Sequence, residues 1–196
     1  MKVLKFGGTS VGSVDSIRQI QHIIGQQTDD CIVVVSALGG ITDQLLKAAH
    51  LALEAGEEYM EVYQAIRCRH MDMVNTLITN PTTRQMLCLE LEGILDELRS
   101  ILFGVHLVKD LSDKTEAAIV SYGERMSSRI VTAALPGAVR KNSLQFIRTE
   151  HKQGQVLLNT ELTEQLIHDT FSPMPHLSVV PGFISRDSQT DEITNL

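Results

Sequence analysis

The chain has 196 residues, 43% hydrophobic and 21% charged, which suffices for one large domain or two small ones. Its net charge of −7, from 24 acidic against 17 basic side chains with no Lys/Arg cluster, argues against phosphate-backbone binding to nucleic acid. The longest aliphatic run, Ile32-Val33-Val34-Val35, falls far below the roughly 18 residues of a membrane span.

The opening Met-Lys-Val-Leu-Lys-Phe-Gly-Gly breaks its apolar stretch too early for a secretory leader, so a cytoplasmic protein is expected. Cys31, Cys68 and Cys88 are odd in number and form no C-x-x-C pair, which favours reduced, mostly buried thiols over a disulfide frame or zinc site. The histidines lack metal-ligand spacing. His70 lies in the periodic row Tyr59, Tyr63, Ile66, His70, Met73, Leu77 and reads as a packed histidine.

In chain order, residues 2–6 and 31–37 read as short β-branched strands. Between them Val14, Ile17, Ile20 and Ile24 mark one face of a helix. Together these make a βαβ unit, which requires a parallel strand pair. The unbroken apolar run at 32–35 fits a sheet with helices on both faces. A helical block follows at 42–55, 57–79 and 83–103, broken at Asn80-Pro81. Its third member carries the stripe Leu87, Leu91, Ile94, Leu98, Ile101. A further helix should run from about Thr115 or Ser121 to Leu135, where Pro136-Gly137 stops it. Residues 143–148 are read as a strand, 161–171 as a helix and 177–180 as a strand. The polar residues 187–196 end without a stop signal. The fold class that follows is α/β, a three-layer α/β/α sandwich with a mostly parallel sheet.

The segment Lys5-Phe6-Gly7-Gly8-Thr9-Ser10-Val11-Gly12-Ser13 runs from the carboxyl end of a strand into a helix amino terminus. Glycines there let backbone N–H groups approach an anion, and the helix dipole favours negative charge. Lys5, on a strand taken to be central and buried on both faces, needs a charged partner, and a phosphate in the crevice at the strand ends supplies one. The segment is neither a Walker loop, since Ser13 and Val14 stand where Lys and Ser/Thr should follow, nor a dinucleotide fingerprint, since Thr9 occupies its second glycine position. The plain alternative is an ordinary βα turn with Ser13 as helix cap.

Lys5-Phe6-Gly7-Gly8-Thr9-Ser10-Val11 resembles the opening signature of the aspartokinases, within the amino-acid kinase superfamily. Three later segments match that family in the same order. Val34-Val35-Ser36-Ala37-Leu38-Gly39-Gly40-Ile41-Thr42 resembles its second-strand loop, Ser121-Tyr122-Gly123-Glu124 its S-x-G-E helix start, and Pro181-Gly182-Phe183-Ile184 the strand end bordering its substrate pocket.

The resemblance implies phosphoryl transfer from ATP, with Mg2+, to the β-carboxylate of L-aspartate. It makes Lys5 the neutraliser of the transferring group and Gly7, Gly8, Thr9 and Ser10 its cradle. Ser36 and Thr42 would hold the substrate, Glu124 its α-ammonium, and Phe183 the pocket wall. The residues also admit plainer readings: Thr42 as a helix cap, Ser121-x-x-Glu124 as a capping box and Phe183 as core. The nucleophile has a reference pKa near about 3.9, so no general base is required.

The family continues into a G-R-G-G-S-D stretch, with an arginine for the substrate's α-carboxylate and then the nucleotide-binding lobe. The expectation is therefore an amino-terminal, aspartate-binding lobe over 1–196, truncated before that lobe and inactive alone. Its parent would be homo-oligomeric and bear regulatory repeats. The wording of the second loop leans toward a bifunctional parent with a homoserine dehydrogenase. Competing readings are another superfamily member, acting on acetylglutamate, glutamate, uridylate or carbamate, and a non-catalytic association fragment pairing through a sheet edge. A nicotinamide-dependent dehydrogenase comes third.

Overall fold

The structure is a computed structural model that describes residues 1–152 and 154–196. Strand β1 (Lys2–Phe6) leads through a glycine turn to helix α1 (Val14–Gly25) and back to strand β2 (Cys31–Val35). Ser13 caps α1 by accepting from Ser16 N at 3.1 Å, and Ile17, Ile20 and Ile24 turn its apolar face to the core. Four helices follow: α2 (Ile41–Ala52), α3 (Glu58–Leu77), α4 (Pro81–Val108) and α5 (Asp113–Ala134).

The breaks on either side of α4 have local causes. Pro81 opens α4, where its missing N–H costs nothing, and Asn80 accepts from Thr83 N at 3.0 Å. Lys109 ends α4 in the left-handed region at φ 55°. Ser112 caps α5 through Thr115 N at 3.2 Å. The stripe Leu87, Leu91, Ile94, Leu98 of α4 is buried against the block, and each such side chain is worth roughly 1.5–3 kcal/mol of burial.

The remaining chain forms β3 (Val139–Arg140), β4 (Arg148–Lys152), β5 (Gln155–Leu158), α6 (Thr160–Thr170), β6 (Leu177–Pro181), β7 (Ile184–Asp187) and β8 (Ile193–Asn195). The strands make two sheets, a parallel one in the order β1-β2-β6-β3 and a mixed one in the order β5-β4-β7-β8. In the parallel sheet Phe6 pairs with Val35, and Val35 with Pro181, so three strands end at one line. The turns that follow them therefore lie side by side, where ligands of open α/β sheets bind. Ile17, Ile20, Val33, Val35, Leu177 and Val179 belong to one core with the helical block. The opposite sheet face, with Ile32, Val34 and Val180, borders an apolar cavity of about 400 Å3 together with Ile167 and the edge-to-face pair Phe146–Phe171 (5.5 Å, 76°).

Several expectations are corrected. β1 is an edge strand, so Lys5 is exposed rather than buried between two neighbours. Both faces of β1 carry apolar residues, so its pattern does not reveal its place in the sheet order. Residues 143–148 are not a strand: Ser143–Gln145 form a 3-10 turn, capped by Asn142 accepting from Leu144 N at 3.3 Å, and the strand starts at Arg148. Helix α5 begins at Asp113, which puts Ser121 and Glu124 inside the helix and removes the capping box. Helix α2 is capped by Gly40 at φ 78°, not by Thr42, which sits in its first turn. Of the three free cysteines only Cys31 is buried. His70 is a packed histidine, with Nδ1 2.7 Å from Ile66 O.

Candidate active site

The first two strand ends carry glycine turns that touch main chain to main chain. A β-carbon at Gly8 would lie 3.2 Å from Ala37 O, one at Gly12 3.5 Å from Gly39 N, and one at Gly39 3.0 Å from Gly8 O. A side chain at residue 8 or 39 would push the two turns apart, and one at residue 12, 3.0 Å from Gly8 O, would distort the first turn itself, which is the physical reason for glycine here. The third turn adds Gly182, where a β-carbon would meet Val34 Cγ1 at 3.1 Å. Gly182 N donates to Val35 O at 2.8 Å.

Beside these turns lies a cavity of about 500 Å3, bordered by Lys5, Gly8, Ser36, Thr42, Glu124 and Phe183 among others. Six of the nine residues singled out in the sequence thus converge on one space. Gly7 adjoins it, since its β-carbon would lie 3.9 Å from Lys5 Nζ. Thr9 and Ser10 line a separate cleft of about 270 Å3 with Ser16 and Gln19 of α1.

Two groups without a full set of partners dominate the polar lining of the cavity, the Lys5 amine and the Glu124 carboxyl. Lys5 has no carboxylate or hydrogen-bond partner among the described residues, although it stands in a chain rich in acid groups. Glu124 is 2% exposed. Its Oε1 accepts from Ala37 N at 3.0 Å, and its Oε2 is buried with no partner. Burial raises its pKa to about 7, partly opposed by the Ala37 hydrogen bond. No basic side chain pairs with it among the described residues.

Helix α5 comes this close because residue 123 is glycine: a β-carbon there would sit 2.6 Å from Ala37 Cβ. Ser127, one turn after Gly123, donates to Ser36 O at 2.7 Å. Sequence reasoning gave neither Gly123 nor Ser127 a role, although both lie in or next to the segment it quoted. Phe183 is 42% exposed and holds φ 63°, a left-handed conformation costly for a bulky residue and characteristic of functional sites. Thr42 places its hydroxyl in the first turn of α2, whose cap residue offers no side-chain hydrogen bond. No group of three His, Cys, Asp or Glu side chains able to hold a metal ion occurs among the described residues.

An amine without a partner among the described residues and a buried carboxylate with one orphan oxygen thus border the same cavity at the strand ends. A model of the amino acid kinase family matches residues 1–195, and the chain belongs to that family. Its relatives are aspartokinases. It is 28% identical to aspartokinase 1, chloroplastic, of Arabidopsis thaliana, over 99% of this chain and 35% of that protein. A bifunctional aspartokinase/homoserine dehydrogenase of Buchnera aphidicola is 30% identical over 69% of this chain and 17% of its own length. Among solved structures, E. coli aspartokinase III in complex with lysine and aspartate superposes with a TM-score of 0.86 at 25% identity, covering 99% of this chain and 43% of that one. The chain thus spans well under half the length of these relatives.

Proposed function

We propose that this chain is the aspartate-binding part of an aspartokinase, which transfers the γ-phosphoryl group of ATP to the β-carboxylate of L-aspartate and yields 4-phospho-L-aspartate. Such a reaction would open the route to lysine, threonine and methionine. The observation that carries the reading is Glu124: a buried carboxylate with one orphan oxygen, bordering the same cavity as an unpaired lysine. An α-ammonium group supplies the missing partner and draws Glu124 into its ionised form.

The rest of the chemistry follows from placement. Ser36 and Thr42 orient the substrate with their hydroxyls. Lys5 draws the β-carboxylate and the incoming phosphoryl group together and offsets their mutual repulsion. Gly7 and Gly8 let main-chain N–H groups approach the phosphoryl oxygens, and Thr9 and Ser10 extend that cradle into the adjoining cleft. Phe183 shields the reacting groups from water. The carboxylate is already ionised at neutral pH, so this chain need only position and neutralise, and no base appears in the scheme. Mg2+ would arrive with the nucleotide phosphates, and the chain presents the amine and amides rather than a ligand set of its own.

The test is a thermal-shift titration of the chain with L-aspartate, N-acetyl-L-aspartate and L-glutamate. L-aspartate should raise the melting temperature with saturation, because a ligand of the native state alone stabilises it. N-acetyl-L-aspartate, which lacks the ammonium, should not. Equal responses to the two, or none to L-aspartate at tens of millimolar, would remove the reading.

A further inference from the structure

We propose that Arg69 is a positioning residue for the anion-cradling turn at residues 7–12, an inference that rests on the reading of that turn given above. The two glycine turns are held by different helices. The turn after β2 is gripped by α5, with Glu124 Oε1 accepting from Ala37 N at 3.0 Å and Ser127 Oγ donating to Ser36 O at 2.7 Å. Among the described residues, the side-chain hydrogen bond that reaches residues 7–12 comes instead from α3: Arg69 Nη2 donates to Gly12 O at 3.3 Å. Arg69 Nη1 lies 3.8 Å from where a β-carbon on Gly40 would be. One guanidinium group therefore spans the end of the first turn and the left-handed cap residue of α2.

The chemistry of arginine suits that task. Its planar fork is always charged and carries five donors in fixed directions, so it can bridge two main-chain segments. Arg69 is half-buried and has no carboxylate partner among the described residues, so its charge is not cancelled locally. Arg67, two residues earlier on the same helix, does the ordinary structural work: its Nε donates to Glu92 Oε2 of α4 at 3.0 Å. Helix α3 thus uses one arginine to brace the bundle and another to reach the site. The two turns already meet main chain to main chain at Gly8 and Gly39, and the donor from α3 adds a polar link at Gly12, the far end of the first turn. An uncancelled positive charge next to the turn also raises the potential where an anion is to sit.

Hydrogen–deuterium exchange on the wild-type chain, Arg69→Met, Arg69→Lys and Arg67→Met, combined with calorimetric titration of inorganic triphosphate, tests the proposal. Arg69→Met should speed amide exchange at residues 8–13 and 39–42 at least fivefold, leave β7 and β8 at the wild-type rate, and weaken triphosphate binding about tenfold. Arg69→Lys, which keeps charge but cannot bridge, should fall between. Arg67→Met should loosen α3 and α4 while leaving both turns and triphosphate affinity unchanged. Turns that exchange at the wild-type rate in Arg69→Met, or a loosening spread evenly through the molecule, would overturn the proposal. If wild type itself takes no triphosphate, the reading of the turn as an anion seat fails, and the exchange comparison still decides whether Arg69 holds it.

Discussion

Glu124 and Ala37 lie 87 residues apart in the chain and meet through a hydrogen bond of 3.0 Å from Ala37 N to the Glu124 carboxylate. That bond fastens the middle of α5 to the turn that follows β2. It satisfies one oxygen of a buried acid and leaves the other with nothing. Fold and chemistry are joined at this contact, and the first expected outcomes concern it.

Glu124 has a pKa raised to about 7 by burial. A carboxyl raised in the folded state binds its proton more tightly there than in the unfolded chain, so stability falls as pH rises from about 4.5 to 7 and levels off above. The full effect is about 3 kcal/mol. Glu124→Gln should remove this contribution and raise stability at pH 8. It should also abolish L-aspartate binding, whereas wild-type affinity should climb about tenfold per pH unit below 7 and plateau above it. Urea melts and calorimetry between pH 5 and 8.5 provide the check.

His70 works in the opposite direction. Its ring is buried with Nε2 unpartnered, and burial lowers its pKa to about 4. The unfolded chain takes up a proton below about 6.5 while the folded one resists, so this contribution is complete above 6.5 and drains away as pH falls toward 4. The Glu124 and His70 effects nearly cancel between about 4.5 and 6.5, and wild type should show a flat profile there. His70→Leu should uncover a stability that falls with rising pH, and Glu124→Gln one that rises. A flat profile in both variants would contradict the two assignments together.

Three glycines separate contact from propensity. Gly123→Ala drives a methyl group to 2.6 Å from Ala37 Cβ and should cost about 1–3 kcal/mol, with loss of ligand binding. Gly93→Ala and Gly104→Ala, inside α4 with open space around the new methyl, should each stabilise by about 0.5–1 kcal/mol and leave the site untouched. Denaturant midpoints of the three variants decide the matter.

Lys5 is exposed and makes no ion pair among the described residues, so it contributes little to folding. Lys5→Met should shift stability by under about 0.5 kcal/mol, within the range of ordinary surface changes, yet eliminate triphosphate binding by the chain. An unaltered titration would place the anion seat elsewhere.

The βαβ start and the helical block were legible because their apolar spacing is long and regular, as in Ile17, Ile20, Ile24 and the α4 stripe. The second sheet was not. β4 is the polar run Arg-Thr-Glu-His-Lys, and β5 is exposed along its whole length, so neither alternates in a way that marks a buried face. The residues bordering the cavity came largely from family likeness. Spacing alone made Glu124 a capping residue, because Ser121 mimics a helix start that the structure puts at Ser112. Arg69 carried no signal at all: its partner Gly12 is 57 residues away, and an arginine on a helix reads as solvated surface until the turn it touches is known.

Main chain against main chain at residues 8, 12 and 39 has a genetic consequence. A lesion such as Gly8→Ala offers no neighbouring side chain that could be trimmed to make room, because the obstruction at 3.2 Å is a carbonyl oxygen. Selection for recovered function after such a change should return glycine itself, and compensating changes at a second position should be rare.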